Sequence, residues 1–343
     1  MTPVLDNTYL AMDTVQDTLR YLLDQNTRFA LDARGTTNHC PMALVALARM
    51  GAGPDRLEAF FARWSEQYAI VETQPGMALS GDEWFAHVGN HAAFSSLRGH
   101  FLDAIRRDGA TAVVAEVLSR TPQAPATGAF HAFIRVGYGI EAGHAGEIAS
   151  GLAAYVATNL PVGIDCTGRR AAVSVEEGFA SLADQLAGRD WPVGSITARL
   201  KAIAADPTFR RVLQSPPVGS SLLDDLARAS IALYWQTADF TVLHMVTGVY
   251  AARLVLAQLP ASLVHHMPAS IWAALCAAYV SAGAQPLVSI DAPKVDAAWP
   301  DILRRAIASD DDHVIKMAYT CSEESKRYPD SSWYLAAAAR IAG

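Results

Sequence analysis

The stretch FTVLHMVTGVYAARLVLAQL, residues 240–259, is the longest apolar run in the chain. It approaches the length that spans a bilayer, but it contains His244, Thr247 and Arg253, and charged residues are costly in a membrane. We therefore predict that this stretch forms a buried helix in the core of a globular protein. An imidazole inside such a helix needs polar partners, which the rest of the fold must supply.

Helical patterns continue outward from this stretch to both ends of the chain. Apolar residues recur at intervals of three and four in alanine-rich segments. Runs that could form strands, residues 171–175 and 286–290, are short and isolated, so no sheet of useful size is expected. The predicted fold class is all-α, with a single large multi-helix domain over residues 1–343 and a weak candidate boundary near residues 161–190. The clearest helical segments are 41–50, 55–68, 111–119 and 271–282.

Composition and charge narrow the possible partners. The 343 residues are 51% hydrophobic, which is ample for a large core, and the net charge of −7 disfavours nucleic acid as a partner. No apolar run typical of a signal peptide is present near the N-terminus, so we expect a cytoplasmic protein. Cys40, Cys166, Cys276 and Cys321 are far apart, which fits reduced thiols better than disulfides or a zinc finger.

Two histidines lie in the N-terminal half of the chain where they could carry chemistry. In TTNHCPMALVALARMG, residues 36–51, Pro41 fits a first helical turn, which places His39 at a helix start. In GAFHAFIRVGYGIE, residues 128–141, His131 shares a helical face with Arg135 and Tyr138. Taken alone, His39 is better explained as a packing or capping histidine, and His131 is explained equally well as a core histidine.

Two further histidines lie in the C-terminal half. His244 shares a helical face with Thr247 and Gly248, where a pocket could open. In DDHVIK, residues 311–316, His313 and Lys316 are three apart and leave one face of a helix, with the two preceding aspartates suited to its N-terminal turn. Taken alone, the pair in DDHVIK is typical of a solvated helix edge.

Other patterns carry less weight. The i, i+4 spacing of His87 and His91 resembles the zinc-binding pair of metalloproteases, but Gly89 and Asn90 predict a turn between them. No dinucleotide fingerprint, phosphate-binding loop or nucleophile elbow is present in the sequence. The remaining histidine pairs are predicted to lie at the surface or in loops: His144 with Glu147, and His265 with His266.

Taken together and in this order, NHCPMALVAL, HAFIRVGYGIE, FTVLHMVTGVYAAR and DDHVIKMAYTC resemble the questin oxidase-like family over most of the chain. That family includes fungal enzymes of anthraquinone and aflatoxin-type pathways that are assigned to Baeyer-Villiger or ring-cleaving oxidation. The resemblance implies a mononuclear non-haem iron site between helices, formed by four histidines and an N-carboxylated lysine. The matching positions are His39, His131, His244 and His313, with Lys316 as the modified residue.

The chemistry of these side chains is compatible with that implication. An unmodified lysine is cationic and cannot bind a metal, whereas a carbamate formed from CO2 on Lys316 is an anion with two oxygens. Four imidazoles and one carbamate would leave octahedral iron(II) with one position for dioxygen or water. We further predict that Arg135 stabilises a substrate phenolate or carbonyl, and that Tyr138 or Thr247 orients it.

The predicted function is an oxygenase that uses dioxygen to insert oxygen into an aromatic or polyketide-like small molecule, or to cleave a carbon–carbon bond in it. Family members have been described as NADPH-dependent, but the sequence holds no recognisable nucleotide site, so any NADPH requirement is expected to be indirect or absent. Two alternatives stay open. One is a metal-dependent hydrolase, which oxygen dependence would separate, and the other is a non-catalytic helical ligand-binding protein whose histidines are core residues.

Overall fold

The computed structural model describes residues 7–73, 76–163, 168–219, 221–288, 293–329 and 332–343. Helix accounts for 67% of the structure and strand for 4%, so the all-α prediction is confirmed. Cys166 lies outside the described residues, and the thiols of Cys40, Cys276 and Cys321 are free and buried.

The helices begin and end close to the positions that the hydrophobic periodicity indicates, and the four clearest predicted segments are each helical. In chain order the helices are α1 Asn7–Asn26, α2 Cys40–Arg49, α3 Pro54–Tyr68, α4 Phe94–Asp108, α5 Ala110–Arg120, α6 His131–Ala142, α7 Ala145–Ala157, α8 Val175–Leu186, α9 Ile196–Ala205, α10 Pro207–Val212, α11 Leu222–Thr237, α12 Phe240–Leu256, α13 Ala261–Val264, α14 Met267–Ser281, α15 Trp299–Ala308, α16 Asp312–Ser325 and α17 Trp333–Ala342.

A small antiparallel sheet lies near the N-terminus, with strands β1 Phe29–Ala33, β2 Thr36–Thr37 and β3 Ala69–Val71 in the order β2-β1-β3. Its strands are too short for their alternation to stand out in the sequence. The candidate strand at 171–175 was wrong, because Ala171 makes only an isolated bridge to Ser215 and Val175 begins α8. The candidate at 286–290 is not a strand over 286–288, and residues 289 and 290 lie outside the described residues.

The core is built around α12, whose apolar surface is buried on nearly all sides. This helix packs against α6, α11, α14 and α16, while α16 also packs against α2. Helices from both sides of residues 161–190 therefore share one core. Among the described residues, 261–281 form one stretch that is long and apolar enough to cross a membrane, and 61% of its apolar 18-residue window is buried, as in the core helix of a globular protein.

Glycines allow α6 and α7 to approach each other closely. A Cβ at Gly151 in α7 would lie 2.7 Å from the backbone nitrogen of Val136 in α6, and a Cβ at Gly139 would lie 2.8 Å from the nitrogen of Ile148. Such distances are shorter than packed atoms tolerate, so a larger side chain would push the helices apart. This approach brings Arg135 of α6 against Glu147 of α7, and that contact matters for the site.

We expect the Gly151→Ala variant to lower the free energy of unfolding by about 1–3 kcal/mol, because the added methyl group overpacks a backbone contact that cannot relax easily. Gly99→Ala in α4 is the matched control, since a Cβ there meets nothing within 4 Å. It should stabilise the protein by up to about 1 kcal/mol through helix propensity. Urea unfolding of both variants measures the difference, and equal stability of the two would contradict the packing argument.

Candidate metal centre

All four predicted site histidines lie at or near the N-termini of helices, and these N-termini lie close together. His39 is the N-cap of α2, His131 is the first residue of α6, and His244 lies in the second turn of α12. His313 is the second residue of α16, whose N-cap is Asp311. Because the positive ends of four helix dipoles meet here, neutral imidazoles and anionic oxygens are favoured in this region.

The imidazole rings form one cluster. The candidate ligand atoms of His39, His131 and His313 all lie within 4.8 Å of one another. His244 joins them through its Nε2, which lies 3.1 Å from the Nε2 of His131. Two nitrogens bound to one ion at about 2.1 Å and at a right angle would be about 3 Å apart, so this spacing suits two ligands of the same metal.

Two of the rings are oriented by backbone carbonyls. The Nδ1 of His131 lies 2.5 Å from the Gly128 oxygen, and the Nδ1 of His244 lies 2.7 Å from the Phe240 oxygen. Since a carbonyl oxygen can only accept, each Nδ1 must carry the proton and each neutral Nε2 must offer a lone pair. Two facing lone pairs at 3.1 Å repel each other, and a cation between them would convert that repulsion into attraction.

Asp312 orients the other two rings, a role that the local sequence pattern does not indicate. Its Oδ1 accepts from the Nδ1 of His39 at 2.9 Å and lies 3.2 Å from the Nδ1 of His313. The same oxygen lies 3.0 Å from the Nζ of Lys316. In metal-binding histidines, the ring nitrogen that does not bind the metal typically donates to a carboxylate or carbonyl oxygen. Of the two aspartates predicted for the helix start, only Asp311 serves as a cap.

The electrostatics keep the imidazoles in the neutral form that binds metals. Burial, followed by the charge of Lys316, lowers the pKa of His39 to about 4. Burial and neighbouring imidazoles hold the pKa values of His131 and His244 well below 6.5. The Nε2 of His313 is buried and has no hydrogen-bond partner among the described residues. This unpaired atom and the neutral donor set fit a bound transition metal.

These pKa shifts predict a pH dependence of the stability of the metal-free protein. His39 is neutral in the folded state between about pH 4 and 6.5, whereas the unfolded state binds a proton there. Stability should therefore fall as the pH is lowered from 6.5 to 4, by on the order of 3 kcal/mol from His39 alone. Urea unfolding at several pH values measures the slope, and His39→Gln should flatten it. An unchanged slope in His39→Gln would contradict this assignment.

A strained turn precedes His131. Gly128, Ala129 and Phe130 have φ values of 59°, 55° and 69°, so two non-glycine residues adopt the left-handed conformation. Each costs roughly 1–2 kcal/mol, and such strain concentrates at functional sites. The turn is held by packing, since a Cβ at Gly248 of α12 would lie 3.0 Å from the Phe130 ring. It directs the Gly128 carbonyl onto His131.

The structure does not bring all predicted substrate-orienting residues to the cluster. Tyr138 is buried, with its hydroxyl 3.2 Å from Thr320, and the hydroxyl of Thr247 donates to the carbonyl of Leu243 in its own helix. We therefore assign neither hydroxyl a role toward substrate. Arg135, by contrast, lines a cavity together with His131.

The other histidine pairs are separate from the cluster. His87 and His91 lie in two short 3₁₀ helices, Glu83–His87 and His91–Ala93, so they share no helical face, as predicted. The surface prediction for His144 and Glu147 was wrong. His144 is the N-cap of α7 and accepts from the Glu147 backbone, and Glu147 is buried because its charge is paired with Arg135.

Comparisons with known proteins agree with the arrangement of the four histidine segments. A profile of the questin oxidase-like family matches residues 36–236 and 223–321. A Baeyer-Villiger oxidase, ptaJ, of Pestalotiopsis fici is 30% identical over 145 residues, which are 38% of this chain and 32% of that protein. The match thus spans about a third of the length of this curated relative. The family match covers most of the chain and all four histidine segments, and the chain therefore belongs to the questin oxidase-like family.

Proposed function

We propose that this protein is a non-haem iron-dependent oxygenase that oxidises an aromatic or polyketide-like small molecule by oxygen insertion or carbon–carbon bond cleavage. His39, His131, His244 and His313 would hold the iron through their Nε2 atoms. Carboxylated Lys316 would supply an anionic oxygen ligand.

The observation that carries this proposal is the orientation of the four rings. Each Nδ1 faces a carbonyl or carboxylate oxygen, and the two backbone carbonyls favour the Nδ1-protonated tautomers of His131 and His244. Among the described residues, the Nε2 of His39 has one long contact, to Thr36 Oγ1 at 3.4 Å. The Nε2 atoms of His131 and His244 face each other and that of His313 has no hydrogen-bond partner in the described ranges, which supports one common ion. A set of core histidines would instead be expected to satisfy both ring nitrogens with protein partners. Nitrogen ligands combined with a carboxylate suit iron(II), which supplies the redox chemistry that activates dioxygen.

Lys316 lies where a carbamate ligand would be useful. The side chain is buried, and its charge reaches His39, His131 and His244 strongly enough to lower their pKa values. The ammonium group of an unmodified Lys316 would repel a metal ion bound by these histidines. Carboxylation replaces the cation with an anion and releases two protons, and the remaining N–H can still donate to Asp312 Oδ1, now 3.0 Å away.

The protein residues then control access and protonation around the ion. Asp312 lies within 3.2 Å of the Nδ1 atoms of His39 and His313, so it would hold both rings with their Nε2 atoms toward a bound metal. Phe240 contacts the rings of His244 and His313, with centroid separations of 4.8 and 4.6 Å, and covers that side of the cluster against water. Excluding water protects reactive species and strengthens the electrostatic interactions inside the site.

The substrate class rests on the family and on the oxidase relative, which is named for Baeyer-Villiger chemistry. That reaction inserts an oxygen atom beside a carbonyl group. We propose a similar aromatic or polyketide-like substrate here, with dioxygen as co-substrate. Electrons would come from the substrate or from an external reductant, and NADPH would act only indirectly.

Oxygen consumption tests the proposal directly. The protein is purified with iron(II) and bicarbonate and is incubated with phenols and quinones of one to three rings, and isotopically labelled dioxygen is followed into the products. We expect substrate-dependent oxygen uptake, with label in the product, that a chelator abolishes. Turnover that continues without oxygen would contradict the proposal and would favour the hydrolase alternative.

A further inference from the structure

A cavity of about 300 Å³ opens beside the histidine cluster. Its walls are mostly apolar and include Leu31, Met42, Ala132 and Ala154, while His131 forms part of the wall nearest the cluster. This volume is at the lower end of the range for small-molecule sites, so it suits one or two fused rings better than a larger polycyclic system.

Arg135 supplies a cationic donor in the same cavity. It follows His131 by one helical turn, so the two side chains leave the same face of α6. The guanidinium is almost fully buried, and its Nε donates to Glu147 Oε2 at 2.7 Å. Its Nη1 has no hydrogen-bond partner among the described residues. Nη1 is enclosed by protein atoms, but Arg135 also lines the cavity, and an anionic acceptor bound there would stabilise its buried charge.

A buried network holds this guanidinium in place. Glu147 Oε1 accepts from Asn26 Nδ2 at 3.2 Å, and Asn26 Oδ1 accepts from Asn38 Nδ2 at 3.2 Å. Asn38 immediately precedes His39, so the network connects Arg135 to the start of α2. Because Asn26, Asn38 and Glu147 are all buried, Arg135 cannot easily move to find another partner.

The charged side chains near the cavity differ in how they are paired and exposed. Glu147 neutralises one guanidinium, but Arg98 is also close, since burial and then repulsion from Arg135 lower the pKa of Arg98. Asp32 also lines the cavity, where its carboxylate is half-exposed and lies 3.0 Å from His91 Nε2. Arg135, paired with Glu147, is thus the arginine that lines this cavity, whereas Arg98 lines a different cavity, and the acidic Asp32 is half-exposed.

We propose that this cavity binds a compact aromatic substrate through an anionic oxygen, either a carboxylate or an ionised phenol, that accepts from the guanidinium of Arg135. Such a pose places the ring between the apolar walls and against His131. Only the reaction of the bound molecule rests on the proposed function, because the binding itself depends on Arg135 and the cavity. Arg135 would then determine which substrates are accepted.

The test uses the full-length protein as purified, under argon, with 2-naphthoate and the uncharged 2-naphthamide as probes in calorimetric titrations. The wild type should bind the carboxylate about 10- to 100-fold more tightly than the amide, the range of a charge-assisted hydrogen bond. Arg135→Met should remove this preference and leave amide binding nearly unchanged. Titrating 2-naphthol above and below its own pKa shows whether an ionised phenol is also accepted.

Arg135→Met leaves Glu147 as an unpaired buried charge and can fail to fold. The double variant Arg135→Met/Glu147→Met removes both charges, an exchange that is often neutral for stability. It should also lose the preference for the carboxylate. The inference is overturned if the wild type binds acid and amide equally, if the preference persists in both variants, or if none of the three probes binds.

Metal content, measured on the same samples, separates this inference from the proposed function. A preference for the acid that depends on Arg135 in protein without bound metal would support the anion site and count against the oxygenase. Bound iron and oxygen uptake with phenols, without a preference for the acid over the amide, would support the oxygenase and count against the anion site.

Discussion

The His313→Ala variant is expected to lose more than about 100-fold in iron affinity, together with substrate-dependent oxygen uptake. Removing a group that hydrogen-bonds to a metal-binding histidine already lowers the metal affinity roughly 10- to 100-fold. Removing the histidine itself, a direct ligand, should cost more. His313 is a suitable position because its Nε2 has no hydrogen-bond partner among the described residues. Its ring is partly exposed, so truncation should cost little core packing.

The measurements are iron titration and oxygen uptake, with thermal unfolding to confirm the fold. Added imidazole should partly restore both properties by occupying the space left by the side chain. His265→Ala is the matched control, since His265 is exposed at the end of α13 and should retain iron and activity. Full iron occupancy in His313→Ala would remove this residue from the ligand set.

Lys316→Met should prevent tight iron binding and remove the carbamate. Methionine keeps the apolar stem in the buried space but offers neither an amine nor an anionic oxygen. The carbamate is the only anionic direct ligand in the proposed set. Without it the ligands are all imidazoles, whereas iron(II) prefers an anionic ligand beside imidazoles. Lys201→Met is the control, because Lys201 is exposed in α9.

Isotopically labelled bicarbonate reports on the modification itself. The wild type and Lys201→Met should show one carbamate carbon signal in nuclear magnetic resonance spectra, and Lys316→Met should lack it. Lys316→Arg keeps the positive charge but cannot be carboxylated, so it should behave like Lys316→Met. Normal iron binding in Lys316→Met would show that Lys316 is not a ligand.

The sequence was sufficient for the helices but not for the small sheet. Strong apolar periodicity, as in residues 240–259, records which face of a helix is buried, and this pattern does not depend on distant partners. The strands Phe29–Ala33 and Ala69–Val71 are paired across an intervening pair of helices, and neither has a regular alternation of its own. Their pairing depends on how α2 and α3 fold back, which local patterns do not reveal.

The candidate site was predictable only through the family resemblance. His39, His131 and His244 were each compatible with a capping or core residue and His313 with a solvated helix edge, and nothing local indicates that α2, α6, α12 and α16 begin at one point. Helical-face reasoning placed Arg135 correctly beside His131, one turn away. It failed for Tyr138, which lies two turns, or about 10 Å, along the helix and pairs with Thr320. The role of Asp312 could not be inferred, because its partner His39 is 273 residues away.

The most direct test of the metal centre is metal analysis of the wild type, His244→Ala and His265→Ala, purified side by side with iron(II) and bicarbonate. The proposed centre predicts near-stoichiometric iron in the wild type and in His265→Ala, and a large loss in His244→Ala, because the Nε2 of His244 faces that of His131 at 3.1 Å. Equal iron in all three proteins would contradict the role of His244 as a ligand. No iron in any of them would contradict the centre as a whole and would favour a helical ligand-binding protein with core histidines.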